Sequence, residues 1–139
     1  MKRSLFILGD DAVCDQVVTL CYSARRAGET GELWLIPYSD ACRRCLELGE
    51  RFGLGLVPLE LAERIDRWVK RYLSGWPLRH PKRLRMLASW LTGAEAFMAL
   101  DADLLLFRPL DDLFLALDEH QFVACDYQWR SGFRYVFEP

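Results

Sequence analysis

Along the chain, short apolar runs alternate with stretches whose apolar residues recur every three or four positions. Residues 5–8 form one such run, closed by Gly9-Asp10-Asp11, and read as a buried strand with its turn. Over residues 13–27 the spacing is helical, with Val17, Val18, Cys21 and Ala24 on one face and Gly28 placed as a stop. Residues 33–37 predict a second strand, and 41–52 a second helix capped by Asp40 and ended by Gly53. A third strand is expected over 56–59 and a third helix over 62–73, striped by Ile65, Trp68, Val69 and Tyr72. Ser74-Gly75-Trp76-Pro77 breaks the pattern. Pro81 then suits the first turn of a fourth helix, through Leu84, Leu87, Ala88 and Leu91 to Gly93. Residues 97–100 read as a strand, 104–107 as a further extended piece and 122–124 as a last strand.

Strand and helix in this rhythm imply crossover units, and hence a mostly parallel sheet covered by helices on both faces. The expected fold is therefore α/β, a Rossmann-like three-layer α/β/α sandwich. With 139 residues, no internal repeat and no linker, residues 1–139 are expected to form a single domain.

Composition narrows the picture. At 52% hydrophobic the chain is not a disordered tail, and its net charge of −2 argues against general attraction to nucleic acid or to an anionic membrane. The apolar stretch after Lys2-Arg3-Ser4 is far shorter than the roughly 7–15 residues of a signal peptide. A cytoplasmic protein without membrane segments is the expectation. Cys42-Arg43-Arg44-Cys45 could be a redox pair or half a zinc site, but Cys42, Cys45, Leu46 and Gly49 share one helical face. There is no second CxxC and no HxxxH, so the thiols read as core residues.

Ligands of open parallel sheets sit beyond the carboxyl ends of the strands. Asp10 and Asp11, Tyr38, and the group Asp101-Ala102-Asp103 occupy such ends. Asp101 and Asp103 interrupt an otherwise apolar stretch, and ionised carboxylates there need a partner or a cation. Mg²⁺ or Mn²⁺ suits them, because such ions take carboxylate oxygens and share their remaining positions with substrate phosphates. The helix leading into that strand brings His80, Lys82, Arg83 and Arg85 toward the same edge, where its N-terminus favours an anion. Metal carboxylates beside a cationic helix start suit a diphosphate.

The stretch from Phe97 to Phe114, FMALDADLLLFRPLDDLF, resembles the DxD region of GT-A-fold nucleotide-sugar glycosyltransferases, most nearly the glycogenin-like, family 8 type with its LDADTLVLxxxDELF patterns. The first strand, the helix ending in Arg26-Ala27-Gly28, and Lys82-Arg83-Leu84 ahead of the DxD fit the same order. The resemblance implies that Asp101 and Asp103 hold a divalent cation bridging the donor's diphosphate, with Asp101 also near the ribose. It places Asp10 and Asp11 near the nucleotide base or ribose and Lys82 near the phosphates, where the position of Arg85 in the first turns of the same helix makes it a further candidate. The donor would be a UDP-sugar, and the acceptor a hydroxyl of unknown identity. Leu104 stands where Thr is usual. These enzymes are also longer, with a second half that supplies the acceptor site and a further ligand, often His. His80 and His120 do not stand at that position, so the chain is expected to be the nucleotide-binding half, weakly active or inactive alone, with no catalytic residue assigned.

Two other folds fail on residues. A receiver domain needs an Asp after the third strand, where Glu60 stands, and a late Lys, whereas none follows Lys82. A haloacid-dehalogenase-type phosphatase carries its DxD on the first strand. The alternative from a different class is a non-catalytic α/β module that binds a partner through the aromatic tail of Tyr127, Trp129, Phe133, Tyr135 and Phe137. That tail also makes a homodimer an expectation.

Overall fold

A computed structural model describes residues 2–120. Four parallel strands form one sheet in the order β3-β2-β1-β4: β1 is Arg3–Gly9, β2 Glu32–Pro37, β3 Leu54–Leu56 and β4 Ala96–Asp101. Helices α1 (Cys14–Arg26) and α2 (Arg43–Gly49) lie on one face, while α3 (Leu59–Tyr72) and a 3₁₀ segment (Pro81–Leu91) lie on the other. A short α4 (Asp111–Leu115) joins the first face through Phe114. The expected mixed α/β class and parallel sheet are therefore present. The expected strand over 122–124 and the aromatic tail lie outside the described residues.

Strand alternation explains the two cores. Leu5, Ile7, Leu33 and Leu35 point to α1 and α2, while Phe6, Trp34 and Ile36 point to α3 and the 3₁₀ segment. A strand buried on both faces reads as an unbroken apolar run, which is why β1 and β2 were visible as such. Each fully buried Leu or Ile stabilises by about 2 kcal/mol relative to exposure. Phe6 meets Phe97 edge-to-face at 5.6 Å, joining β1 to the edge strand β4. Gly28 follows α1 at φ 87°, the left-handed stop its sequence position predicts. Among the described residues no helix is long and apolar enough to cross a membrane.

Three elements differ from expectation. β3 ends at Leu56, and Pro58 starts α3 as its N-cap residue, so Leu59 is helical rather than extended. The strand begins two residues earlier than expected and takes in Gly55. Gly55 is in fact paired, and a Cβ there would lie 2.6 Å from the Trp34 ring. The fourth helix is 3₁₀: Thr92 N–H donates to Ser89 O, and the hydroxyls of Ser89 and Thr92 each bond the carbonyl three residues back. Residues 104–106 are irregular rather than extended in a sheet, and the chain here follows α1. The Leu106 amide donates to Ser23 Oγ at 3.0 Å, and the Leu110 amide to Glu29 at 3.0 Å.

Candidate functional site

Two strand ends frame the site. β1 stops at Gly9 and β4 at Asp101, and the register pairs Leu8 with Asp101, so the loops that follow leave the sheet side by side. The strand order also reverses here. The chain passes from β1 outward to β2 and β3, then crosses to the opposite face and returns to place β4 on the other side of β1. Sheets wound in this way open a crevice beyond the carboxyl ends at the reversal.

Asp101 closes β4, and Ala102 and Asp103 turn the chain. Ala102 packs against the α1-side core, while the carboxylates on either side of it are exposed. Neither makes a hydrogen bond or ion pair within the described residues, although Arg3, Arg44 and Arg108 all pair with other carboxylates. Two oxygen donors at a turn beyond the carboxyl end of a sheet strand suit a hard cation that completes its shell with phosphate oxygens and water. Among the described residues no group of three His, Cys, Asp or Glu side chains converges as a ready-made metal cage.

Asp10 and Asp11 reach the same edge but are engaged. Asp10 caps the 3₁₀ turn Asp11–Val13 by accepting from the Ala12 amide at 3.0 Å, and its other oxygen accepts from Ser39 Oγ at 2.7 Å. It thereby ties the loop after β1 to the loop after β2. Asp11 accepts from the amides of Arg44 and Cys45 at 3.2 and 2.9 Å, the second and third residues of α2. The cap expected from Asp40 therefore comes from a residue thirty-three positions away from Arg44, supplied across the sheet edge. These amide bonds, that of Cys45 foremost, hold the Asp11 carboxyl below its ordinary 3.8. Its contribution to stability is complete above that ordinary value and is lost as pH falls through the depressed one. Asp11→Ala is expected to lower the thermal midpoint at pH 7, and the gap from the unmodified chain should shrink in strong acid. An unchanged midpoint would show that α2 does not need this cap.

Lys82 is exposed and lies over the Tyr38 ring, its Nζ 5.8 Å from the centroid, on the β2 side of the same edge. Arg85, expected near the phosphates, does not fit that role. Its side chain is 6% exposed and grips Asp66 through Nε and Nη2, the shortest contact 2.6 Å, while Nη1 donates to Pro37 O at 2.8 Å and Tyr38 O at 3.2 Å. It is a brace between α3, the 3₁₀ segment and the end of β2. Sequence reasoning also missed Glu29. This buried carboxylate accepts from the amides of Gly31 and Leu110, and so fixes the return path of the chain after Asp103. Its placement after the Gly28 stop was the one available signal.

Cys14, Cys21, Cys42 and Cys45 are buried free thiols, as the helical stripe implied. Burial pushes Cys21 and Cys42 up to about 11 and raises Cys45 further, with the Cys14 thiol adding to the effect. Cys45 Sγ donates to Asp10 O at 3.2 Å. Titration of the native chain with a thiol reagent at neutral pH should therefore count at most one group, Cys125, which lies outside the described residues. All five should react in denaturant. Two or more fast-reacting thiols in the native chain would contradict this packing.

His120 is exposed at the last described position. Compared with protein-family models, with curated proteins and with solved structures, the chain matches none.

Proposed function

We propose that this chain binds a nucleotide-diphosphate sugar through a divalent cation and serves as the donor-binding part of a metal-dependent glycosyltransferase. The fold in this reading is Rossmann-like and of GT-A type. The observation that carries the proposal is the pair Asp101 and Asp103, exposed and without a partner among the described residues, at the point where the strand order reverses. Asp15, Glu47 and Asp112 pair with arginines, whereas exposed Asp40, Glu50 and Glu60 also lack an ion pair among the described residues, so it is the position at a strand end that sets Asp101 and Asp103 apart.

In this reading Asp101 and Asp103 would hold Mn²⁺ or Mg²⁺ together with the donor's diphosphate. The bound ion supplies Lewis-acid stabilisation of the charge that develops on the departing nucleoside diphosphate. Lys82, free at its Nζ apart from the Tyr38 face, adds a positive charge for the phosphates. Asp10 and Asp11 act at one remove, by holding the β1 loop in shape against α2 and Ser39. Arg85 fixes the β2 end on which Tyr38 sits. The acceptor is a sugar or other hydroxyl compound.

Isothermal titration of the full chain with UDP tests this reading. Heat of binding is expected with Mn²⁺ present and is expected to vanish when the ion is chelated. Equal binding in chelator would overturn the metal-bridged arrangement.

A further inference from the structure

The outward face of α3 differs from the rest of the surface. Residues four apart stack on one side of a helix, so Arg64, Trp68 and Tyr72 form one row and Arg67 and Arg71 the next. Arg67 and Arg71 lie opposite the buried Ala62, Ile65 and Val69, while Trp68 and Tyr72, expected on the buried stripe with Ile65 and Val69, border that stripe and are exposed. Trp68 is 46% exposed and Tyr72 58%, and Trp76, in the turn after the helix, is 66% exposed. The Trp68 and Tyr72 rings pack on each other at 5.5 Å, and the Arg71 guanidinium sits 5.3 Å over Tyr72. The two rings are thus held against each other and against Arg71.

Charge on this face is mostly cationic toward the C-terminal end, although Arg67 pairs with Glu63 at 4.0 Å. Residues 64–79 contain five cationic side chains, all exposed, and a single carboxylate, Asp66, which is neutralised by Arg85. Glu60 and Glu63 belong to the first turns of α3, so the cationic end is the C-terminal one. A net charge of −2 for the whole chain hides this patch. Charges beyond about 10 Å are screened, so a docking surface responds to the local set.

We propose that this face of α3, with the turn carrying Trp76, docks on an anionic lipid surface. Tryptophan and tyrosine settle at the level of lipid headgroups, because each has an apolar ring and a polar edge. Lysine and arginine beside them meet the negative headgroups. A single-stranded nucleic acid also takes cations and aromatic rings, but it needs rings laid open as platforms for bases. Here Trp68 and Tyr72 pack against each other at 47°, and Trp76 is exposed in a turn. The inference stands independently of the donor-binding reading.

Vesicle flotation of the full chain tests it. The chain should float with vesicles of equal parts phosphatidylcholine and phosphatidylglycerol, and should do so less as salt is raised. Each lost cation is expected to weaken partitioning about fivefold, so the double variant Arg67→Glu, Arg71→Glu should lose at least about 25-fold. Trp76→Ser should lose severalfold with little change in the thermal midpoint, since that residue is 66% exposed, and Arg43→Glu on α2 should change nothing. Equal flotation with pure phosphatidylcholine, no flotation, or preferential binding of single-stranded poly(U) would each overturn the proposal. So would an Arg43→Glu loss equal to that of the α3 double variant.

Discussion

Asp101→Asn and Asp103→Asn are each expected to weaken manganese-dependent UDP binding by about two orders of magnitude while leaving the fold intact. The reasoning is local. Both side chains are exposed and make no described hydrogen bond or ion pair, so replacing a carboxylate by its isosteric amide removes no contact that holds the chain together. An amide oxygen is a poorer ligand for a hard cation, and the loss of one of two anionic donors removes a large part of the protein's hold on the ion. Glu47→Gln, at a surface pair with Arg43 on α2, serves as the control and should leave binding unchanged. Titration calorimetry measures the affinities and circular dichroism the fold. Full binding by both aspartate variants would remove the basis for the metal-bridged reading.

The largest effect on stability is expected from Asp66→Ala. Arg85 is buried with a 6% exposed side chain, and its Nε and Nη2 are held by that one carboxylate. Removing the partner leaves a charged guanidinium in the interior, supported by two backbone carbonyls alone. Breaking a buried pair from one side costs about 3–5 kcal/mol. Asp66 is itself 36% exposed, so water can reach the gap and the lower end of that range applies. A fall of roughly 10 °C in the thermal midpoint follows for a chain of this size. Replacing both partners, Asp66→Leu with Arg85→Met, should recover part of the loss, because no charge is then stranded. A midpoint within one or two degrees of the original for the single variant would show that the brace is not structural.

Much of the fold could be read from the sequence because two-sided burial writes a simple pattern. Leu5 to Leu8 is apolar throughout since both faces of β1 are covered, and α1 shows its stripe because only one side of it is. The same logic explains the misplacements. Leu84, Leu87, Ala88 and Leu91 fit spacings of both three and four, so a stripe alone does not separate a 3₁₀ segment from an α-helix. Gly55 resembles a turn residue until the Trp34 ring that requires it is seen across the sheet.

The candidate site divides along the same line. Asp101 and Asp103 were conspicuous because two charges break an apolar run, a local signal. The role of Asp11 was invisible because the helix it caps begins at Arg43, and nothing near Asp11 in sequence announces that contact. Arg85 looked like a phosphate ligand on position alone, and its true partner, Asp66, lies on a different helix. The cationic face of α3 escaped for another reason, since an overall charge averages over surfaces that never face the same partner.

The central claim is that a cation-bridged diphosphate sits between the ends of β1 and β4. Paramagnetic broadening of amide resonances tests it most directly, with substoichiometric Mn²⁺ added to the UDP-saturated chain. The account predicts that signals of Gly9, Asp10, Leu100, Asp101, Ala102 and Asp103 broaden first, while those at the opposite end of the sheet, such as Ser4 and Glu32, persist. Broadening centred away from those two strand ends, or none that depends on UDP, would contradict it.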